Sequence, residues 1–140
     1  MFIVLVCTII VNRDKYILSD AYLGQKEVLN YMEKNINKGE HIYTVNTNGG
    51  YYSYYGYKTY IDTRAEVFLK VNNKKEDIFH EFYLIMYGKI DYNEFLNKYN
   101  FKYLVVNSGE PLYKYLRSNS NENYRVIYKN KKTLLYEKTN

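Results

Sequence analysis

Asp62 and Arg64 stand two residues apart in the run Thr59-Tyr-Ile-Asp-Thr-Arg64. In an extended segment that spacing puts both side chains on one face. An arginine there can hold a phosphate or a sugar-acid carboxylate, with the aspartate orienting it. The structural alternative is an ion pair, or a cap for the segment that follows. Just upstream lies Asn48-Gly-Gly-Tyr-Tyr-Ser-Tyr-Tyr-Gly-Tyr57. Gly49 and Gly50 allow a sharp turn and suit a loop that approaches a phosphate. No Gly-x-Gly-x-x-Gly or Walker pattern follows them, so a plain turn is the simpler reading. Tyr51, Tyr52, Tyr54, Tyr55 and Tyr57 offer rings for stacking on sugars, or for an interfacial belt at headgroup level. The alternative is a loop that packs its own rings. The ligand-binding candidates are therefore Asp62, Arg64, Gly49, Gly50, Tyr51 and Tyr54.

Other chemistries find little support. Cys7 is the single cysteine, so neither a disulfide framework nor a cysteine metal site is available. His41 and His80 are far apart and lack ligand partners at helical spacing, so no metal site is assigned. Ser108 has no Gly-x-Ser-x-Gly elbow and no assignable histidine partner. No catalytic residue and no cofactor are assigned. The formal net charge is +5, carried mostly by lysine, with Arg13, Arg64, Arg117 and Arg125 scattered. A nucleic-acid stripe would gather basic residues on one face, and no ribonucleoprotein-type motif is present, so nucleic acid is not an expected partner.

The elements that must position these residues follow from patterning. The chain has 140 residues, 46% apolar and 25% charged, the balance of one folded domain. Tyrosine is the anomaly, at 20 residues with no tryptophan, and coding bias toward Tyr, Asn and Lys is the simplest source. A helix is expected over residues 21–37, with Val28, Leu29, Met32 and Ile36 on one face and Gly39 as its stop. Strands are expected over 41–45 and 57–62, with the glycine–tyrosine loop between them. Residues 65–71 are ambiguous, with a short helix one option, and 72–75 form a polar break. A second amphipathic helix spans 76–87 and ends at Gly88. Asp91 with Glu94 starts a third, with Phe95 and Leu96 facing inward. Residues 101–106 form the clearest buried strand. Pro111 opens a helix over 112–117. Two alternating strands, 124–129 and 133–138, close the chain as a hairpin. The fold class is α/β: a three-layer sandwich on a mixed, mostly parallel sheet of about five strands, with a C-terminal antiparallel hairpin. Ligands in such sheets bind beyond the carboxyl ends of the strands, where Asp62, Arg64 and the loop after Asn107 lie.

Phe2–Val11 is almost purely apolar and is stopped by Asn12-Arg-Asp-Lys15. It is roughly half of the ~20 residues that a membrane span needs. A cut transmembrane helix, a buried first strand or core helix, and an unusual signal or anchor all fit. The first is preferred, because the run lacks alternation and ends on polar residues. Residues 1–15 are accordingly taken as the end of a transmembrane helix with its linker, and 16–140 as a soluble α/β domain.

At Asn48-Gly-Gly-Tyr51, Asp62-Thr-Arg64, Lys102-Tyr-Leu-Val-Val106, Tyr128 and Leu135-Tyr136, the chain resembles a known pattern. It is similar to the C-terminal extracytoplasmic domain of bacterial polytopic membrane glycosyltransferases. These belong to the GT-C class, related to dolichyl-phosphate-mannose–protein mannosyltransferases. The resemblance covers about residues 20–138, through short motifs, and departs from the pattern at Thr63, where glycine is frequent. It implies a parent that transfers sugar from a lipid-linked phosphate donor, with its catalytic carboxylate in a membrane portion outside this chain. It also implies a soluble part on the extracytoplasmic side of the cell membrane, anchored through the N-terminal segment, with a sugar or lipid-phosphate ligand. Arg13 and Lys15 weigh the other way, since basic residues beside a span favour the cytoplasmic side. The rival reading is a membrane-tethered module for carbohydrate or another ligand.

Overall fold

A computed structural model describes residues 20–118 and 123–139. The expected membrane segment, residues 1–15, lies outside the described residues. Among the described residues no helix is long and apolar enough to cross a membrane.

The elements, in order, are α1 (Asp20–Asn35), β1 (His41–Tyr43), α2 (Asn46–Tyr54), β2 (Lys58–Thr59), a 3-10 turn (Ala65–Phe68) and α3 (Lys70–Asn73). There follow α4 (Ile78–Met86), α5 (Tyr92–Tyr99), β3 (Tyr103–Asn107), α6 (Pro111–Ser118), β4 (Tyr124–Lys129) and β5 (Thr133–Lys138). The sheet order is β2-β1-β3-β5-β4. β1 pairs in parallel with both β2 and β3. β5 runs antiparallel to β3 and to β4, so the hairpin closes a mixed sheet. Between Val126 and Tyr128 the register of β4 slips, leaving Ile127 as a bulge.

Alternation along β3 sorts the two cores. Leu104 and Val106 face one side with Phe82, Ile85, Phe95, Leu96, Leu112 and Leu116 of α4, α5 and α6. Tyr103 and Val105 face the other, with Val28, Leu29, Met32 and Ile36 of α1 and Tyr52 of α2. The result is the expected three-layer sandwich. Each fully buried aliphatic or aromatic side chain contributes about 1.5–3 kcal/mol. Local signals agree with the helix ends. The Asp77 carboxylate accepts the His80 N–H at 2.9 Å, and that of Asp91 accepts from Asn93 and Glu94 at 2.8 and 3.0 Å. Gly88 follows α4 at φ +67°, a conformation that side chains disfavour.

The glycine–tyrosine stretch departs from expectation. It is not a loop turned at Gly49-Gly50 but helix α2, which crosses from β1 to its parallel neighbour β2. A parallel pair needs such a crossover, and the sequence between the strands had to supply it. Gly49 lies against the backbone of the chain leaving β2. A Cβ there would stand 1.9 Å from the Ile61 carbonyl oxygen. Strand β2 is shorter than expected, although the Tyr60 N–H still donates to the Ile42 carbonyl at 3.1 Å. Asn72 and Asn73, expected in a polar break, belong to α3.

Candidate functional site

Asp62 and Arg64 do meet. The Asp62 side chain is 5% exposed and that of Arg64 is 67% exposed. Arg64 donates through Nε at 3.0 Å and Nη2 at 2.5 Å, and its backbone N–H adds a bond at 2.9 Å. The carboxylate thus anchors both the turn and the guanidinium. Hydrogen bonds from Arg64 hold the Asp62 carboxyl below its ordinary value, against the opposing effect of burial. The ion pair expected as the structural alternative is formed: Asp62 anchors it from a buried position, and Arg64 is held at the surface.

Beside this pair, Gly50, Ser53 and Tyr54 complete a shallow depression of about 360 Å³ with Asp62, Thr63 and Arg64. Four of the candidates therefore converge: Asp62, Arg64, Gly50 and Tyr54. Tyr54 is 85% exposed at the rim. Nothing within 4 Å would meet a Cβ at Gly50, so that position is open rather than tight.

Gly49 and Tyr51 do not join them. Gly49 serves the contact with Ile61. Tyr51 packs edge-on against Tyr52 and Tyr55, at 5.6 and 5.3 Å between centroids, over the α1 side of the core. The five-ring platform is also not formed as such, because the helix divides its rings. Tyr52 and Tyr57 are buried, Tyr51 and Tyr55 half-buried, and Tyr54 alone of the five is exposed.

A polar knot passed unnoticed in the sequence. Gln25, buried in α1, donates through Nε2 to Asn107 Oδ1 and to Thr133 Oγ1, both at 3.1 Å. It accepts from Tyr52 Oη at 2.7 Å. Asn107 donates to Glu110 Oε1 through its backbone N–H at 2.8 Å and through Nδ2 at 2.7 Å. Burial pushes the Glu110 carboxyl up to about 7, despite the two bonds from Asn107. The one available signal was a glutamine on the apolar face of a helix, next to Val28 and Leu29 in register.

Among the described residues, no group of three or more His, Cys, Asp and Glu is placed to hold a metal ion. No protein-family model, curated protein or solved structure matches the chain.

Proposed function

We propose that the chain is an accessory extracytoplasmic domain of a membrane glycosyltransferase that uses a lipid-linked sugar donor, and that it adds no catalysis of its own. Its task is to hold an acidic group of donor or acceptor near the membrane portion. The observation that carries the reading is Arg64, fixed by the buried Asp62 carboxylate and facing the depression beside Tyr54. A pinned guanidinium loses little freedom on meeting a phosphate or carboxylate. An exposed tyrosine ring next to it suits the apolar face of a sugar. The N-terminal apolar run and the motif resemblance supply the membrane and transferase parts of the proposal.

The test is sugar transfer by the intact parent protein, with and without Arg64→Ala. Transfer is expected to fall while the domain stays folded, with KM for one substrate rising. Unchanged transfer, or transfer by the isolated chain, overturns the reading. The genomic reading frame upstream of Met1 tests the attachment. Further membrane-spanning segments in frame are expected. A complete anchor with nothing else would assign the same depression to a tethered carbohydrate-binding module.

A further inference from the structure

The two ends of the sheet treat their cations differently. Where the parallel strands begin, basic side chains are paired. Lys102 meets Glu40 and Arg125 meets Glu137, each at 2.7 Å. Lys98, in the last turn of α5 before β3, meets Glu81 at 2.8 Å. Lys38, between α1 and β1, meets Glu33 at 3.0 Å. At the opposite end, where β1 and β3 finish, Lys89, Lys129 and Lys131 are exposed. None of these three forms an ion pair with a described residue.

A run of contacts joins these lysines into one surface. The Ser108 N–H donates to the Lys132 carbonyl at 2.8 Å, tying the β3–α6 loop to the β4–β5 turn that carries Lys131. Pro111 opens α6 at the end of that loop, and a Cβ on Gly88 would stand 3.9 Å from it, which sets Lys89 beside the same loop. The acidic groups nearby are engaged. Glu110 takes the Asn107 N–H, Glu27 accepts from Asn130, Asp62 holds Arg64 and Asp91 caps α5. Tyr87, 63% exposed, adds an aromatic ring next to Lys89.

The chain also enters at this end. The Gly24 carbonyl accepts from Asn130 Nδ2 at 2.9 Å, so the first turns of α1 lie against the β4–β5 turn. The apolar run Phe2–Val11 precedes α1 through residues 12–19. A linker of that length reaches about 30 Å at most, which confines the run to the neighbourhood of the lysines.

We propose that this basic end of the sheet rests on an anionic lipid surface, with Lys89, Lys129 and Lys131 among the headgroup phosphates and Tyr87 at their level. Charge complementarity and the apolar run tethered on the same side select that partner. Lysine suits it, being a flexible point charge that follows a fluid array of phosphates without a fixed bidentate geometry. The proposal takes its bilayer from the tether reading above, and the test separates the two.

The test is vesicle flotation of the full 140-residue chain. One set of vesicles is phosphatidylcholine alone and the other contains about one-third phosphatidylglycerol. At about 0.1 M salt the anionic vesicles should be bound at least about tenfold more tightly, and the difference should shrink at about 0.5 M. Reversing three charges at this end, Lys89→Glu with Lys129→Glu and Lys131→Glu, should remove at least about tenfold of the anionic preference. Lys34→Glu with Lys58→Glu and Lys75→Glu makes the same change in net charge at exposed lysines elsewhere, two of them at the opposite end. It should cost less than about threefold. Thermal midpoints of both variants should match the parent. Equal binding of the two vesicle types by the parent overturns the proposal, as does an equal loss in the two triple variants. Binding to phosphatidylcholine alone reads the apolar run. A chain that ignores those vesicles yet passes the charge comparison keeps this surface and loses the tether.

Discussion

Asp62 illustrates how one carboxylate serves two neighbours. Its oxygens take the Arg64 backbone N–H and the guanidinium together, so removing the arginine side chain leaves one bond of the set. Arg64→Ala is expected to lower the thermal midpoint by a few degrees, and Asp62→Ala by more. The acid limb carries the sign. The Asp62 carboxyl lies below 3.8 in the fold, so its contribution is present above that value and is lost as pH falls through the depressed one. In Arg64→Ala this acid-driven loss should shrink, as read by thermal melts between pH 2 and about 5. Glu110 runs the other way. Its carboxyl rises from 4.5 to about 7 through burial, so the stability is full below 4.5 and declines as pH climbs through 7. Ionising it in place costs on the order of 3 kcal/mol. Glu110→Gln should be more stable than the parent at pH 8 and about equal at pH 4. Identical pH profiles for the two proteins would contradict that assignment. At this scale the Asp62–Arg64 pair was legible, because spacing by two in an extended segment needs no tertiary information. The Gln25–Asn107–Thr133 knot was not, because its members lie 82 and 108 residues apart.

Helix α2 shows where patterning fails. The flanking strands and most of the other helices could be read from alternation, caps and amphipathic faces. Asn-Thr-Asn-Gly-Gly-Tyr-Tyr-Ser-Tyr has none of these signals. It contains poor helix formers, with glycine alone costing about 1 kcal/mol relative to alanine. Its helicity is imposed by the parallel pairing of β1 with β2 and by the sheet beneath it. Only glycine fits at position 49, because the helix lies directly on the Ile61 carbonyl. Gly49→Ala should therefore destabilise the protein by about 3 kcal/mol or more, the upper range for inserting a methyl group into a filled site. Gly50→Ala, which meets nothing within 4 Å, should be neutral or stabilising by up to about 1 kcal/mol. Urea midpoints of the two variants check the contrast directly. Equal midpoints would mean that the α2–Ile61 contact is looser than described.

Across the whole molecule, tyrosine takes the place that other cores give to phenylalanine and leucine. Tyr43, Tyr60, Phe95, Tyr99 and Phe101 form one aromatic cluster, with neighbouring centroids 4.9–6.1 Å apart. Several phenols reach partners from inside: Tyr92 donates to the Ile85 carbonyl at 2.7 Å and Tyr124 to that of Phe101 at 2.8 Å. Coding bias can supply tyrosines, but burial with satisfied hydroxyls shows that many have been put to structural use. This is also why the ring platform misled: composition counts rings and says nothing of which face each one takes. The three-layer order was legible because each face of β3 reads directly from sequence.

The two flanks of the sheet differ in kind. On one, β2 is a stub of two residues. On the other, β4 carries Arg125 and Lys129 and is kinked at Ile127. Neither flank offers a straight, uncharged template on which a second molecule could extend the sheet. A protein crowded with copies of itself would thereby escape fibre growth. Deleting Ile127 should straighten β4 and turn that flank adhesive, so light scattering should rise with concentration in the deletion variant and stay flat in the parent.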